Sequence, residues 1–455
     1  MNQTSKTINL IGAGLNGPLL GIFLAKRGFP VEIYERRSDM RKVRMDAGRS
    51  ISLALSTRGI HALQTAGLWE EMGKIVVPMR GRMMHSVQSE LTFQPYGKEE
   101  TDVIHSISRP ELNIALMNAA EAKGVRIHFQ QRCSGIDLKS GAIRLHDERT
   151  GEDRVVESRV VIGCDGSASA IRNQMLKLNR FNFSQQYLDY GYKELTIPAG
   201  PAGKHLLEAN ALHIWPRGNY MLIALPNIDG TFACILFLPF EGTDSFAQIA
   251  TEPELLEFFS SRFPDTMPLM PNLADNFFAN PTGAMVTVKC SPWHVENHAL
   301  LLGDAAHAIV PFFGQGLNCG FEDCTTLMKL LDRHGAEWEH IFVEFEKARK
   351  INTDAIADLA VENFAEMRDR VADPRFLFRK KVELALEARY PGIFVPKYAM
   401  VTFHRVPYAT AMTRGRIQDR MLEELCDPID RVEDLDWRKA DQLIRSELAP
   451  LELAS

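Results

Sequence analysis

Residues 7–37 read TINLIGAGLNGPLLGIFLAKRGFPVEIYERR, and they leave few folds open. A short apolar strand runs into a turn with Gly12, Gly14 and Gly17, an apolar stretch at helical spacing follows, and VEIY reads as a second strand. Strand–helix–strand of this length builds a βαβ unit, which needs a parallel sheet covered by helices. The glycines have separate tasks. Gly12 permits the tight turn, Gly14 lets backbone approach a pyrophosphate at the helix N-terminus, and Gly17 lets helix and strand pack closely. Glu35 ends the second strand 23 positions after Gly12, where a carboxylate accepts from ribose hydroxyls and disfavours a 2′-phosphate. The glycines alone leave FAD and NAD both open.

Two distant segments repeat the design. SRVVIGCDGSASAIR (158–172) is a buried-strand pattern meeting Asp165-Gly166, with a helix expected to start near Ala168. HALLLGD (298–304) is another, ending in Gly303-Asp304. Ligands of open α/β sheets lie outside the carboxyl ends of the strands. Three such ends converging on one long ligand suit FAD, whose flavin and ribityl chain need the third, better than NAD.

GAGLNG, GCDGSASAIR and GDAAHAIVPFFGQG together resemble the three fingerprints of the single-component FAD-dependent aromatic hydroxylases, which share the para-hydroxybenzoate hydroxylase fold. The resemblance implies an α/β chain: a Rossmann-like FAD-binding domain, an inserted β-sheet substrate domain and a C-terminal helical region. The corresponding segments are 1–75, 100–178 and 290–345 for FAD, 76–99 and 179–289 for the substrate sheet, and 346–455 for the helices. Alternating apolar and polar residues in the inserted part suggest a one-sided sheet over a pocket. By the same resemblance Arg109 opens a helix and reaches the pyrophosphate. Arg49, Ser52 and Ala54 lie along the flavin, Leu15, Arg36 and Cys133 join the FAD contacts beside Asp165, and Asp304 bonds the ribityl hydroxyls. GQGLNCGFEDCTTLMKLL reads as a turn opening an amphipathic helix. The N–H groups of Gly316, Leu317 and Asn318 would then face the negative edge of a reduced flavin.

Further segments, among them GRSISLALSTRGIHAL, MRGRMMH, QPYGKEE, AVENFAEM and PKYAMVTFHRVPY, are similar to the kynurenine hydroxylase branch of that family. This implies hydroxylation of L-kynurenine to 3-hydroxy-L-kynurenine through a C4a-hydroperoxyflavin, with FAD as cofactor and NADPH and O2 as co-substrates, in tryptophan degradation or NAD biosynthesis. The ring carbon ortho to the aniline nitrogen is electron-rich, so no strong base is required. The protein's tasks are positioning, exclusion of water and stabilisation of charge on the flavin. The substrate carboxylate calls for a planar cation and hydroxyl or amide donors. The resemblance selects Arg82, with Tyr96, Asn363 and Tyr398; spacing alone does not choose between Arg80 and Arg82, which alternate around Gly81. Leu212, Met221, Ile223, Phe237, Pro311 and Phe312 are the apolar candidates for the ring pocket, with Met221 and Ile223 on one strand face.

The remaining observations exclude other classes. A net charge of −6 argues against a nucleic-acid binder. Seven scattered cysteines without a CxxC read as reduced thiols, and no metal site is expected. No window reaches the apolar length of a membrane helix, no signal peptide is expected, and a cytoplasmic monomer or homodimer follows as the expectation. No GWxW motif of the halogenases is present. The competing readings are a flavin hydroxylase of another aromatic ring and a non-hydroxylating FAD reductase or redox module.

Overall fold

The structure, a computed structural model, describes residues 7–42, 52–97, 101–369 and 373–452. Its floor is a six-stranded sheet in the order His294–Val295, Ala299–Leu301, Val160–Gly163, Ile8–Ile11, Val31–Tyr34, Arg126–His128. All neighbours are parallel except the first pair. Ile8–Ile11, Val160–Gly163 and Ala299–Leu301 are buried at every position, as strands covered on both faces require. Because these three strands are adjacent and parallel, their glycine- and acid-bearing ends open along one edge. The helix Asn16–Ala25 is apolar nearly all round and buried from Gly17 to Leu24, between the helices Arg109–Ala122 and Gly316–His334. A three-stranded antiparallel sheet, Ser52–Leu55, Ile104–Ser108 and Val76–Met79, bridges this floor to the second lobe.

The second lobe is a seven-stranded sheet in the order Gly283–Ser291, Asn182–Ile197, Phe232–Pro239, Met221–Pro226, Ala211–Pro216, Gly81–His85, Leu91–Pro95. It is antiparallel except where Gly81–His85 meets Ala211–Pro216. The expected one-sided sheet is not what forms. Phe232–Leu238 is buried without a break, and Met221–Pro226 nearly so. The helices Glu252–Arg262 and Leu273–Ala279 bring Phe258, Phe259, Leu273 and Phe277 against the outer face, where Trp215, Leu222 and Leu236 point. The inner face, with Ile214, Met221, Ile235 and Phe237, packs on Phe312, Phe364, Val401 and Tyr408.

Trp338–Asp369 is one 32-residue helix. It crosses Gly316–His334 and Tyr408–Cys426 and carries Asn363 toward the junction of the two sheets. Pro374–Arg389, Lys397–Thr402 and Trp437–Glu447 complete the helical region. No described helix is long and apolar enough to cross a membrane. All seven cysteines are free thiols.

Candidate active site

A cavity of about 890 Å³ runs between the strand ends of the floor and the inner face of the second sheet. At its cofactor end the glycine turn has the form its spacing predicts. Gly12 takes φ +101°, and a Cβ there would stand 2.5 Å from the Cys164 carbonyl oxygen. A Cβ on Gly17 would stand 2.0 Å from the Gly12 carbonyl oxygen. Gly14 differs: a Cβ there would meet no atom within 4 Å, so its backbone faces the cavity with room for a phosphate to approach. Gly17 therefore acts from behind the wall, while Gly12, Gly14 and Leu15 form it.

Glu35 is buried just past its strand, one oxygen 2.8 Å from the Ala13 N–H and the other 2.8 Å from Arg37 Nε. Burial alone would raise its pKa; the donors of Arg37 and Ala13 hold the carboxyl below the ordinary range instead. Arg36 lies on the same rim. Asp165 accepts from the Ala170 N–H at 2.7 Å through Oδ2, while its buried Oδ1 has no partner among the described residues. Burial raises the pKa of Asp165, and it does the same for Asp304, whose carboxyl opens into the cavity. Ser52, Ala54, Arg109 and Cys133 line this end too. The Ser52 hydroxyl donates to Asn227 Oδ1 at 2.6 Å, and burial pushes the Cys133 thiol up to about 12. Arg49 lies outside the described residues.

Gly316 and Leu317 reach the cavity at the N-terminus of the Gly316–His334 helix, where unpaired backbone N–H groups favour negative charge. Asn318 stands behind them. Its Nδ2 donates to Ala54 O and Gly314 O, both at 2.8 Å, and its Oδ1 accepts from the Ser56 N–H at 2.9 Å. The side chain thus fixes the helix start to the Ser52–Leu55 strand. An open glycine cradle, an unpartnered buried carboxylate oxygen and a helix N-terminus in one cavity suit FAD. Its pyrophosphate would face Gly14 and its flavin the Gly316 end.

The opposite end of the cavity is lined by Leu212, Met221, Ile223, Phe237, Pro311 and Phe312, all six of the apolar candidates. Phe312 stacks on Phe364 with centroids 4.1 Å apart and leans on Phe237 at 4.9 Å. Arg82 enters from Gly81–His85, its guanidinium carbon 4.8 Å from the Tyr398 ring centroid and 5.7 Å from that of Tyr96. The two tyrosine rings are nearly parallel, 5.9 Å apart. Arg82 Nε and the Tyr96 hydroxyl are both buried and without a partner among the described residues. Such groups are costly unless a ligand satisfies them. Arg80 precedes the strand and is exposed, so the structure separates the two arginines that spacing left equivalent. Asn363 is not on the cavity wall. Its Nδ2 donates to the Phe312 carbonyl at 2.7 Å and approaches Met367 Sδ at 3.3 Å, which braces the Pro311–Phe313 turn from behind.

Sequence reasoning missed Phe313, Met367, Met79, Ile104, Leu225 and Ile235 on the wall. Phe313 stacks on Tyr398 at 5.4 Å and joins the flavin-side turn to the arginine box. Its adjacency to Phe312 and the i, i+4 spacing of Met367 from Asn363 were the available signals.

A doubly covered parallel floor with these glycine turns, beneath a sheet-roofed apolar pocket, defines a flavin-dependent aromatic monooxygenase, and comparison with known proteins agrees. Residues 5–212 and 282–338 match the FAD binding domain family. Solved structures with the same fold include 2-methyl-3-hydroxypyridine-5-carboxylic acid oxygenase (TM-score 0.67, 20% identity, 82% of this chain and 95% of that one). Another is PqsL of P. aeruginosa in complex with 2-aminobenzoylacetate (TM-score 0.65, 18% identity, 80% and 97%). A curated relative from Myxococcus xanthus, named kynurenine 3-monooxygenase, is 56% identical over 99% of this chain and 97% of its own length. One of the same name from Xanthomonas oryzae pv. oryzae is 44% identical over 99% of each. The chain belongs to the kynurenine 3-monooxygenase family.

Proposed function

We propose that the protein hydroxylates L-kynurenine to 3-hydroxy-L-kynurenine, using FAD, NADPH and O2. The observation that carries this reading is the Arg82 box. A cation lies beside two tyrosines and an apolar slot, with no carboxylate in ion-pair range among the described residues and with Nε and the Tyr96 hydroxyl unsatisfied. A plain phenol would leave those donors unpaired. An aromatic amino acid brings the carboxylate that a guanidinium binds bidentately. The names of the relatives support the same substrate.

In this reading Arg82, Tyr96 and Tyr398 hold the α-carboxylate end. Leu212, Met221, Ile223, Phe237, Pro311 and Phe312 hold the aniline ring and exclude water. Asn363 sets the Phe312 carbonyl and hence the wall nearest the flavin. Bound FAD, reduced by NADPH, supplies the oxygen activation and transfer. Asp304 and Asp165 accept hydroxyl protons along the cofactor, and the N–H groups of Gly316 to Asn318 stabilise negative charge at its edge. No general base is required, because the ring is already activated by its amine. The segments that carry these groups divide as a discontinuous FAD lobe, an inserted substrate sheet and a helical cap.

The test is substrate-dependent turnover. The FAD-loaded protein is expected to oxidise NADPH several-fold faster with L-kynurenine, with 3-hydroxykynurenine appearing by chromatography. No stimulation by kynurenine, or stimulation by a phenol or salicylate instead, would sink the assignment.

A further inference from the structure

Arg58 lies on the helix Thr57–Ala66, directly after the strand that lines the cofactor end, and is only 1% exposed. Its guanidinium does not face the cavity. Nη1 donates to the Val401 carbonyl and, at 3.0 Å, to the His404 carbonyl, and Nη2 donates to the Val406 carbonyl. Nε lies 3.2 Å from Glu322 Oε1, and the guanidinium carbon sits 4.0 Å over the Tyr408 ring. The three carbonyls belong to the end of the Lys397–Thr402 helix and the link to Tyr408–Cys426. Helix-end and link carbonyls buried away from water need donors, and one planar fork supplies them all.

The same link is tied a second time. The Tyr408 hydroxyl donates to Gln315 Oε1 at 2.8 Å, and Gln315 Nε2 lies 3.3 Å from Ser56 Oγ. Gln315 is the residue before the Gly316–His334 helix. Beyond Glu322 the charges continue inward. Arg349 bonds Glu322 Oε2 and Asp323 Oδ1, both at 2.6 Å. Asp323 Oδ2 accepts from the Gly303 N–H at 3.1 Å and pairs with His307 at 2.6 Å. The turn that presents Asp304 and the segment that presents Tyr398 therefore hang from one buried network. The Glu322-Asp323 pair lies at its centre, in the GFED stretch that follows the flavin turn.

We infer that Arg58 is a positioning residue for the hydroxylation, fastening the Tyr398-bearing segment to the flavin floor so that the carboxylate clamp and the cofactor keep a fixed separation. This rests on the reading of Tyr398 as part of the substrate clamp. Met400, Val401 and Val406 pack into the core between the lobes, and Lys397 pairs with Asp419 of the next helix. Tyr398 meets the site through ring stacking on Phe313 and Tyr96 and beside the Arg82 guanidinium. The Arg58 fork adds the polar tie from this segment to the Thr57–Ala66 helix. A lysine keeps the charge but gathers its donors on one nitrogen, so it cannot span the three carbonyls and Glu322 while lying flat over the Tyr408 ring.

The test is Arg58→Lys in the full chain with FAD bound. Hydrogen exchange of the amides in 397–408 is expected to rise about tenfold while the Ile8–Ile11 and Val160–Gly163 strands stay protected. KM for L-kynurenine is expected to rise by about tenfold with kcat changed far less, and product formed per NADPH falls. Unchanged exchange in 397–408, or an equal loss of protection throughout, would overturn the inference. If Arg58→Lys does not fold, Tyr408→Phe decides. It removes one hydroxyl from the same bracket, and raised local exchange supports the role while wild-type exchange refutes it. A wild-type protein indifferent to kynurenine would refute the substrate assignment instead, and the exchange measurement would still decide on Arg58.

Discussion

Arg82 stands with a buried, unpartnered Nε beside two stacked tyrosine rings. On the proposed reading, truncating it removes the cation that would bind the substrate carboxylate. Charge-assisted hydrogen bonds contribute about 1.5–3 kcal/mol each. Arg82→Ala is therefore expected to weaken kynurenine binding by about two orders of magnitude while the protein stays yellow. Titration of the flavin absorbance change with kynurenine measures it, and unchanged affinity would place the carboxylate elsewhere. The glycines show the same single-residue logic from the other side. Gly17 is legible from sequence because its requirement is local: any Cβ collides with backbone five residues away. Phe313 offered only its adjacency to Phe312 as a signal, because its partner Tyr398 is far along the chain.

At the scale of elements, Asn318 ties the Gly316–His334 helix to the Ser52–Leu55 strand through Ala54 O, to Ser56 N–H just beyond that strand, and to Gly314 O in the turn before the helix, at 2.8–2.9 Å. Gly59 exists for this contact, since a Cβ there would lie 2.5 Å from Asn318 Oδ1. Asn318→Ala leaves buried backbone groups unsatisfied, a loss of about 2–4 kcal/mol. FAD affinity is expected to fall at least tenfold, read by release of flavin fluorescence, with a lower thermal midpoint. Retained affinity would show that the helix start is set without this side chain. The long helix Trp338–Asp369 behaves similarly: Asn363, expected to face substrate, turns to the Phe312 carbonyl, because a carbonyl buried in the turn needs a donor more than the cavity wall does.

At the scale of the whole molecule, the buried charge network couples stability to pH. Burial alone would lower the pKa of His307, but Asp323 at 2.6 Å outweighs it and lifts the ring from 6.5 to about 10. The folded state therefore holds a proton that the unfolded state releases near 6.5. This contribution is full below that pH, shrinks as pH rises, and is gone above about 10. Asp323 works in the other direction. Burial opposes its charge, yet His307 and Arg349 keep it ionised below the usual carboxylate range, so its contribution is present at neutral pH and lost in strong acid. Thermal denaturation is expected to show a midpoint that declines from pH 7 to pH 10, and His307→Asn is expected to flatten that decline. An equally steep decline in the variant would assign the effect to other groups.

The sequence by itself determined the floor and the cofactor end. Strand, glycine turn, helix and terminal acid are contiguous, so their order could be read from 7–37, and the strand-end pattern repeats before Asp165 and Asp304. The local requirement holds for Gly17 against Gly12, whereas Gly12 is also held by Cys164 from the neighbouring strand. The proposed substrate end was suggested only by resemblance, because Arg82, Tyr96 and Tyr398 come from separate segments that only the fold brings together. Tertiary structure alone decided two things: the covering of both faces of the second sheet and the network from Arg58 to His307. Each depends on burial, which decides whether a polar group needs a partner and an apolar face a cover, and burial is set by packing between segments that are separate in the chain.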